Sequence, residues 1–356
     1  MNSTLVWFLL GDFEVREFPK PIVVVAKCIT FEPVRWNGQI IASEFVEKLK
    51  PYIHFVPVCP EIAIGLGVPR DPIRIVMVNC KQRLLQPSTG TDFTEKMKDF
   101  ADSFLGSLGE VDGFILKSGS PSSGFKNVKI YPSIARSASI GRSSGFFGRA
   151  VMAKYPNLAI EDERRLLNLR IREHFLTRLF AIASFRESVK SGRIRALVKF
   201  HSDNKYLLTA YSQKELRFLG KITANQENKP FDDIVADYAA HLYSAFARTP
   251  SAGSEINVML KIMGYFSSQL SKEEKSFFLD SIERYKSGRL PLSANLSILR
   301  AWIVRFKNQY LSTQTILEPY PETLTELETD FSEVNKKDYW KTPAKTGETA
   351  EESDKY

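Results

Sequence analysis

Two cysteines and a serine-rich loop are the residues of this chain best suited to chemistry. Cys28 closes the apolar run 21–27. Cys59 closes the run 53–58 and opens Cys59-Pro60-Glu61. The run 111–117 ends in Ser118-Gly119-Ser120-Pro121-Ser122-Ser123-Gly124. Thiolates are soft donors that suit zinc, copper(I) and iron–sulfur clusters. If the three runs are parallel neighbouring strands, all three loops leave one edge of one sheet, where open α/β sheets build their sites. Two of the loops carry a thiol. The third carries serines where a third thiol would complete a metal-cluster site. A lone cysteine at a strand end is more often a small buried hydrophobe; three converging loops shift the reading toward a ligand set.

Other residues extend this edge. Glu61, two positions after Cys59, is placed either for proton transfer or as a first-turn carboxylate facing a helix N-terminus. Arg70 follows the flexible run 64–69 and suits a substrate anion or a nearby carboxylate. Further along, Phe200-His201-Ser202 leads into Lys205-Tyr206. An aromatic, an imidazole and a cation grouped this way suit base stacking and phosphate contact, although His201 reads equally as a core histidine. Ten Arg and Lys residues fall within 164–199. Such density suits a phosphate-tracking surface, although a solvated helix face is the commoner outcome.

Residues 20–130 alternate strand-like and helix-like runs, which implies a parallel sheet with right-handed crossovers. The spacing predicts a short helix over 43–50 and a β-branched strand over 73–79. A longer helix begins near Asp92, with Glu95 three residues on as a capping box. The stretch 135–148 reads as a loop or weakly structured crossover. From 161 onward charged helical runs dominate, over 161–173 and 173–191. Four more helices follow, around 234–246, 256–270, from Ser271 with Glu274 as its capping partner, and 296–311. The expected fold class is an α/β parallel-sheet N-terminal domain (1–160) plus an all-α C-terminal domain (161–335), followed by a disordered tail (336–356).

Composition sets the outer bounds. The chain has 356 residues, enough for two domains with real cores, and a formal net charge of +8. The segment from Glu322 onward holds ten acids and five bases, so the preceding body is about +13. A basic body points mildly to nucleic acid. Three cysteines are too few for a disulfide scaffold and suit a reducing compartment. The apolar stretch 3–10 is short and lacks a basic lead, so it is expected to pack on the fold. The chain is expected to be cytoplasmic, with no membrane and no evident protein partner.

At these residues the chain resembles the thiouracil desulfurase (TudS) family. The resemblance is carried by Cys28 with Pro33-Val34-Arg35-Trp36-Asn37-Gly38, by Val58-Cys59-Pro60-Glu61 with Gly65-Leu66-Gly67-Val68-Pro69-Arg70, and by Leu116-Lys117 with Ser120-Pro121-Ser122-Ser123-Gly124. The second half resembles the YbgA-like domain through His201-Ser202, Lys205-Tyr206, Asn257-Val258, Gly264-Tyr265-Phe266, Tyr285, Pro291-Leu292, Gln314 and Pro319-Tyr320-Pro321. The fusion is similar to tRNA 4-thiouridine desulfidases. That resemblance implies a 4Fe-4S cluster on three cysteines, with an open iron that takes sulfur from a thiocarbonyl base in tRNA while water replaces it. Cys28 and Cys59 match two ligand positions and Ser123 the third, where the family has cysteine. Glu61 is expected to transfer a proton, and Ser120 to orient the substrate or bound sulfide. Arg35, Arg70, Lys117, His201 and Lys205 are expected to bind substrate. The serine leaves a second reading open: an RNA-binding protein with a degenerate cluster site. Cys80 is the remaining candidate for the third thiolate. Ala26 and Lys261 also depart from the family pattern, where relatives carry serine and histidine, and favour a natural divergent member over a single substituted position.

Overall fold

The computed structural model describes residues 16–325. The N-terminal stretch 3–10 and the tail 336–356 lie outside the described residues. The strands are β1 (Ile22–Ala26), β2 (His54–Val58), β3 (Arg74–Val78), β4 (Lys81–Leu85), β5 (Gly113–Leu116), β6 (Val128–Tyr131), β7 (Gly141–Ser143) and β8 (Ala159–Asp162). Among them run α1 (Glu44–Leu49), α2 (Pro60–Ala63), α3 (Thr94–Ser107) and α4 (Phe146–Lys154).

The central sheet has the order β2-β1-β5-β8, and every pair in it is parallel. Its two middle strands are almost wholly buried, as Val23-Val24-Val25 and Phe114-Ile115-Leu116 require. Parallel strands covered on both faces read as continuous apolar runs. The chain leaves β1 toward β2 on one side and later enters β5 on the other. The topological switch point therefore lies between β1 and β5, where open sheets form a crevice. Ser43 caps α1 by accepting from the Val46 N–H.

Several sequence expectations need correction here. β3 does not join this sheet. It lies in a second, mixed sheet of order β4-β3-β6-β7, pairing antiparallel with β4 and parallel with β6. The stretch 135–148, expected as loop, contributes β7 and the start of α4. β7 carries no buried side chain, so only its pairing with β6 reveals it. Residues 159–162 form the fourth central strand instead of beginning a helix, and the expected 160/161 boundary falls inside it. Asp92 does receive the Thr94 N–H at 2.8 Å. Glu95, however, turns outward to Arg83 and Lys98 and completes no capping box.

The second half is helical, as expected. It contains α5 (Leu169–Val189), α6 (Ile194–Asp203), α7 (Lys205–Tyr211), α8 (Gln213–Ala224), α9 (Phe231–Ala245), α10 (Ala252–Gly264), α11 (Lys272–Lys286), α12 (Leu292–Phe306) and α13 (Gln309–Ser312). The Ser271–Glu274 capping box of α11 is present in both directions. The buried apolar residues form two clusters. One, around Phe114, Phe147 and Met97, lies against the central sheet. The other, around Tyr238, Phe246, Phe266 and Phe278, fills the helical half. α5 serves both: Ile182 belongs to the first, Ala181 and Phe185 to the second. Among the described residues no helix is long and apolar enough to cross a membrane.

Candidate active site

The strand order brings the three expected loops together. Cys28 follows β1, Cys59 follows β2, and residues 118–124 follow β5, so all three leave the same end of adjacent parallel strands. Both thiols are half-buried. Burial, reinforced by the neighbouring Cys59, pushes the Cys28 thiol up to about 12; Lys117 opposes this, while Glu163 and Glu61 add to it. Burial also raises Cys59, against the pull of the N–H groups at the start of α2 and of Arg70. Each must therefore lose a proton on meeting a metal.

Glu61 ties two of the loops together. Its Oε2 receives Arg70 Nε at 2.9 Å and Nη2 at 2.7 Å, and its Oε1 receives the Ser122 hydroxyl at 2.7 Å. Arg70 also donates to the carbonyls of Gly67 and Val34, and the Trp36 carbonyl accepts its N–H. The loop bearing Arg35 is thus held against Glu61. Of the two partners expected for Arg70, the carboxylate is the one it meets. Arg35 itself donates to Gln39 Oε1, at 3.4 Å.

The serine loop is organised by Ser120. Its Oγ lies 2.8 Å from Ser122 Oγ and accepts the N–H groups of Ser122 and Ser123 at 3.3 and 3.2 Å. The loop's far side docks on the N-terminus of α4. The carbonyls of Pro121, Ser122 and Gly124 accept from Phe146, Gly148 and Gly145. This docking needs glycine on both sides. A Cβ on Gly148 would stand 2.6 Å from the Gly124 carbonyl oxygen, and one on Gly124 2.7 Å from that of Ser120.

Glu163 completes the edge, and sequence reasoning missed it. It follows β8, accepts Lys117 Nζ at 2.7 Å through Oε1, and accepts the Ser118 N–H at 2.8 Å through Oε2. Taking residues from 161 onward as helix hid the short strand that aims it here. The signal was slight: Leu158-Ala159-Ile160 is a short apolar run that stops at polar residues.

Three expected features do not join this edge. Cys80 is exposed at the β3–β4 turn of the other sheet. Among the described residues no three His, Cys, Asp or Glu side chains gather in a metal-holding arrangement. His201 and Lys205 sit in the helical half. His201 Nδ1 lies 3.2 Å from the buried Tyr238 hydroxyl, and burial lowers its pKa. Much of the basic run is spent on internal contacts. Arg165 meets Glu161, Arg178 meets the Asn157 and Leu158 carbonyls, and Arg186 meets Asp112.

With this geometry in place, the relatives are informative. A family model described as 2-thiouracil desulfurase matches residues 23–163. The uncharacterized protein YbbK of Bacillus subtilis (strain 168) is 32% identical over 111 residues, 29% of this chain and 73% of YbbK. The chain belongs to the 2-thiouracil desulfurase family. In its helical half, this desulfurase-family chain matches a model described as a protein of unknown function (DUF1722) over residues 205–321. The uncharacterized protein YbgA of Escherichia coli (strain K12) is 26% identical over 151 residues, 42% of this chain and 89% of YbgA. A solved structure titled as a 4Fe-4S-dependent thiouracil desulfidase, TudS, is 27% identical, covering 42% of this chain and 94% of that one with a TM-score of 0.34.

The donor set fits an iron–sulfur cluster at two corners and not at the third. Cys28 and Cys59 are soft donors. Ser123, 5% exposed, offers a hard hydroxyl that keeps its proton at neutral pH. The edge therefore differs from a three-thiolate site by one atom type.

Proposed function

We propose that this chain is a desulfidase that converts 4-thiouridine in tRNA to uridine. A thiocarbonyl base enters the crevice between β1 and β5. Water adds at the thiocarbonyl carbon, a C–O bond forms, the C–S bond breaks, and the sulfur leaves as hydrogen sulfide with both water protons. No electron is gained or lost. The reading is supported above all by the strand order, which sets Cys28, Cys59 and the serine loop side by side. Glu61 is assigned proton transfer, passed through the Ser122 hydroxyl that it already holds. Ser120 orients the substrate or departing sulfide. Arg35, Arg70 and Lys117 line the approach. The α/β part carries this chemistry, and the helical part, with His201 and Lys205, holds RNA by backbone and shape. Cys28, Cys59 and Ser123 occupy the three positions at which a 4Fe-4S cluster would be held, and no step is assigned to a cluster because the third donor does not match.

Ser123 favours a second reading, an RNA-binding protein that has lost the chemistry. Anaerobic iron–sulfur reconstitution of the native chain and of Ser123→Cys separates the two. Loss of the 4-thiouridine band from thiolated tRNA with the native chain is the outcome expected of the enzyme. Iron uptake and sulfur removal by the cysteine variant alone would overturn the enzyme reading for this chain.

A further inference from the structure

Three tyrosines from separate helical segments meet in the second half. Tyr206, buried on α7, donates its hydroxyl to that of Tyr265 at 3.0 Å. Tyr265, just after α10, stacks on Tyr310 of α13 with centroids 6.2 Å apart and planes 28° apart. Tyr206 stands edge-on to both, at 6.4 and 6.5 Å. The base of this ladder is fixed. Gln314 Oε1 accepts the Tyr206 N–H, and Gln314 Nε2 donates to the Ser202 carbonyl at 2.9 Å. Its top is open: Tyr265 is 44% exposed. A ring cluster whose outer member is part exposed to water is suited to stacking by another flat ring.

The charges around it favour an anionic chain. Lys205 is adjacent to Tyr206. Lys261 precedes Tyr265 by four residues, placing it on the same helix face. Lys307 precedes Tyr310 by three. All three lysines are exposed, and among the described residues no ion pair holds any of them. The nearby carboxylate, Asp203, is tied to Lys199 at 2.8 Å. Burial raises the hydroxyl pKa of Tyr206 and of Tyr310, so neither adds a negative charge. The site already described uses none of these residues except Lys205.

We propose that the ladder seats an unpaired nucleobase of single-stranded RNA on Tyr265, with Lys205, Lys261 and Lys307 at the flanking phosphates. This rests on the reading that the chain binds tRNA. Aromatic stacking accepts any base and contributes about 1–3 kcal/mol per base. Because it involves no counterion, it differs from a phosphate contact in its response to salt.

The full chain is titrated with a labelled nine-residue oligouridylate and with thiolated tRNA at several salt concentrations, following fluorescence anisotropy. Tyr265→Leu should weaken both by about 5- to 150-fold, with the salt slope unchanged. Tyr265→Phe should bind like the native chain. Lys261→Ala should lower the slope by roughly 0.7. Tyr310→Leu is a second variant, expected to act in the same direction as Tyr265→Leu. Thermal unfolding of each confirms that it is folded. If tRNA binds and both leucine variants bind within twofold of native, the ladder is overturned and the tRNA reading stands. If the native chain binds neither RNA, both are overturned.

Discussion

At the scale of single residues, the site is held by paired charges more than by the thiols it displays. Glu61 and Arg70 have side chains only 13% and 6% exposed. Removing one partner of such a pair leaves a half-buried charge uncompensated, a loss of about 3–5 kcal/mol. Arg70→Ala should therefore lower the urea midpoint clearly. Arg70→Lys should recover only part of the loss, because an ammonium cannot make the paired Nε and Nη2 contacts. An unchanged midpoint in Arg70→Ala would show that solvent supports Glu61 unaided. His174 gives a pH signature. Burial and Arg178 lower its pKa to about 4. The folded group stays neutral while the unfolded one takes a proton below about 6.5. Its contribution is whole above that value and is lost as pH falls toward 4, at up to about 1.4 kcal/mol per unit before solvent screening. Urea midpoints at pH 7, 6, 5 and 4.5 should fall more steeply for the native chain than for His174→Asn. The thiols and serines were legible in the sequence because they stand where apolar runs stop. Glu163 follows only a short apolar run, Leu158-Ala159-Ile160, and acids after so short a run look the same on a helix.

At the scale of elements, the junction of the serine loop with α4 sets the site's shape. Gly148 lies inside a helix, where replacing glycine by alanine ordinarily stabilises by about 0.5–1 kcal/mol. Here the added methyl would meet the Gly124 carbonyl at 2.6 Å. The Gly124 carbonyl accepts the Gly145 N–H and the Gly148 N–H donates to Ser122, so neither backbone yields easily and overpacking at about 1–3 kcal/mol should reverse the sign. Gly148→Ala is expected to melt lower and to increase alkylation of Cys28 and Cys59 as the loop moves off. A higher melting temperature would show that the loop yields freely. The sequence reveals α3 and α9 through their spacing and β1 through its buried run. β4 and β7 escape it because Lys81-Gln82-Arg83 and Gly141-Arg142-Ser143 are polar, and each becomes a strand only by pairing antiparallel with β3 or β6. Pairing, not propensity, makes them strands.

At the scale of the whole molecule, α5 links the two cores. It buries Phe175, Leu179 and Phe180 as well as the residues it gives to each cluster, so no face along its middle is free. A buried ion pair fastens it to the sheet. Asp112, 1% exposed in its side chain, accepts the Ile22 N–H at 2.7 Å and both Nε and Nη2 of Arg186 at 3.1 Å. One residue thus joins β1, the start of β5 and the last turns of α5. A helix shared in this way makes separate melting unfavourable, since either core would lose a wall when the other unfolds. Residues 16–321 accordingly form one compact unit. Heating should give a single transition, with the helical signal at 222 nm and the exposure of Cys28 and Cys59 to a thiol reagent changing together. Asp112→Ala should cost about 3–5 kcal/mol, and it should move both signals downward by the same amount. Two separated transitions in the native chain would mean that α5 belongs energetically to one core. A split appearing only in Asp112→Ala would place the coupling in the ion pair instead of the shared apolar surface.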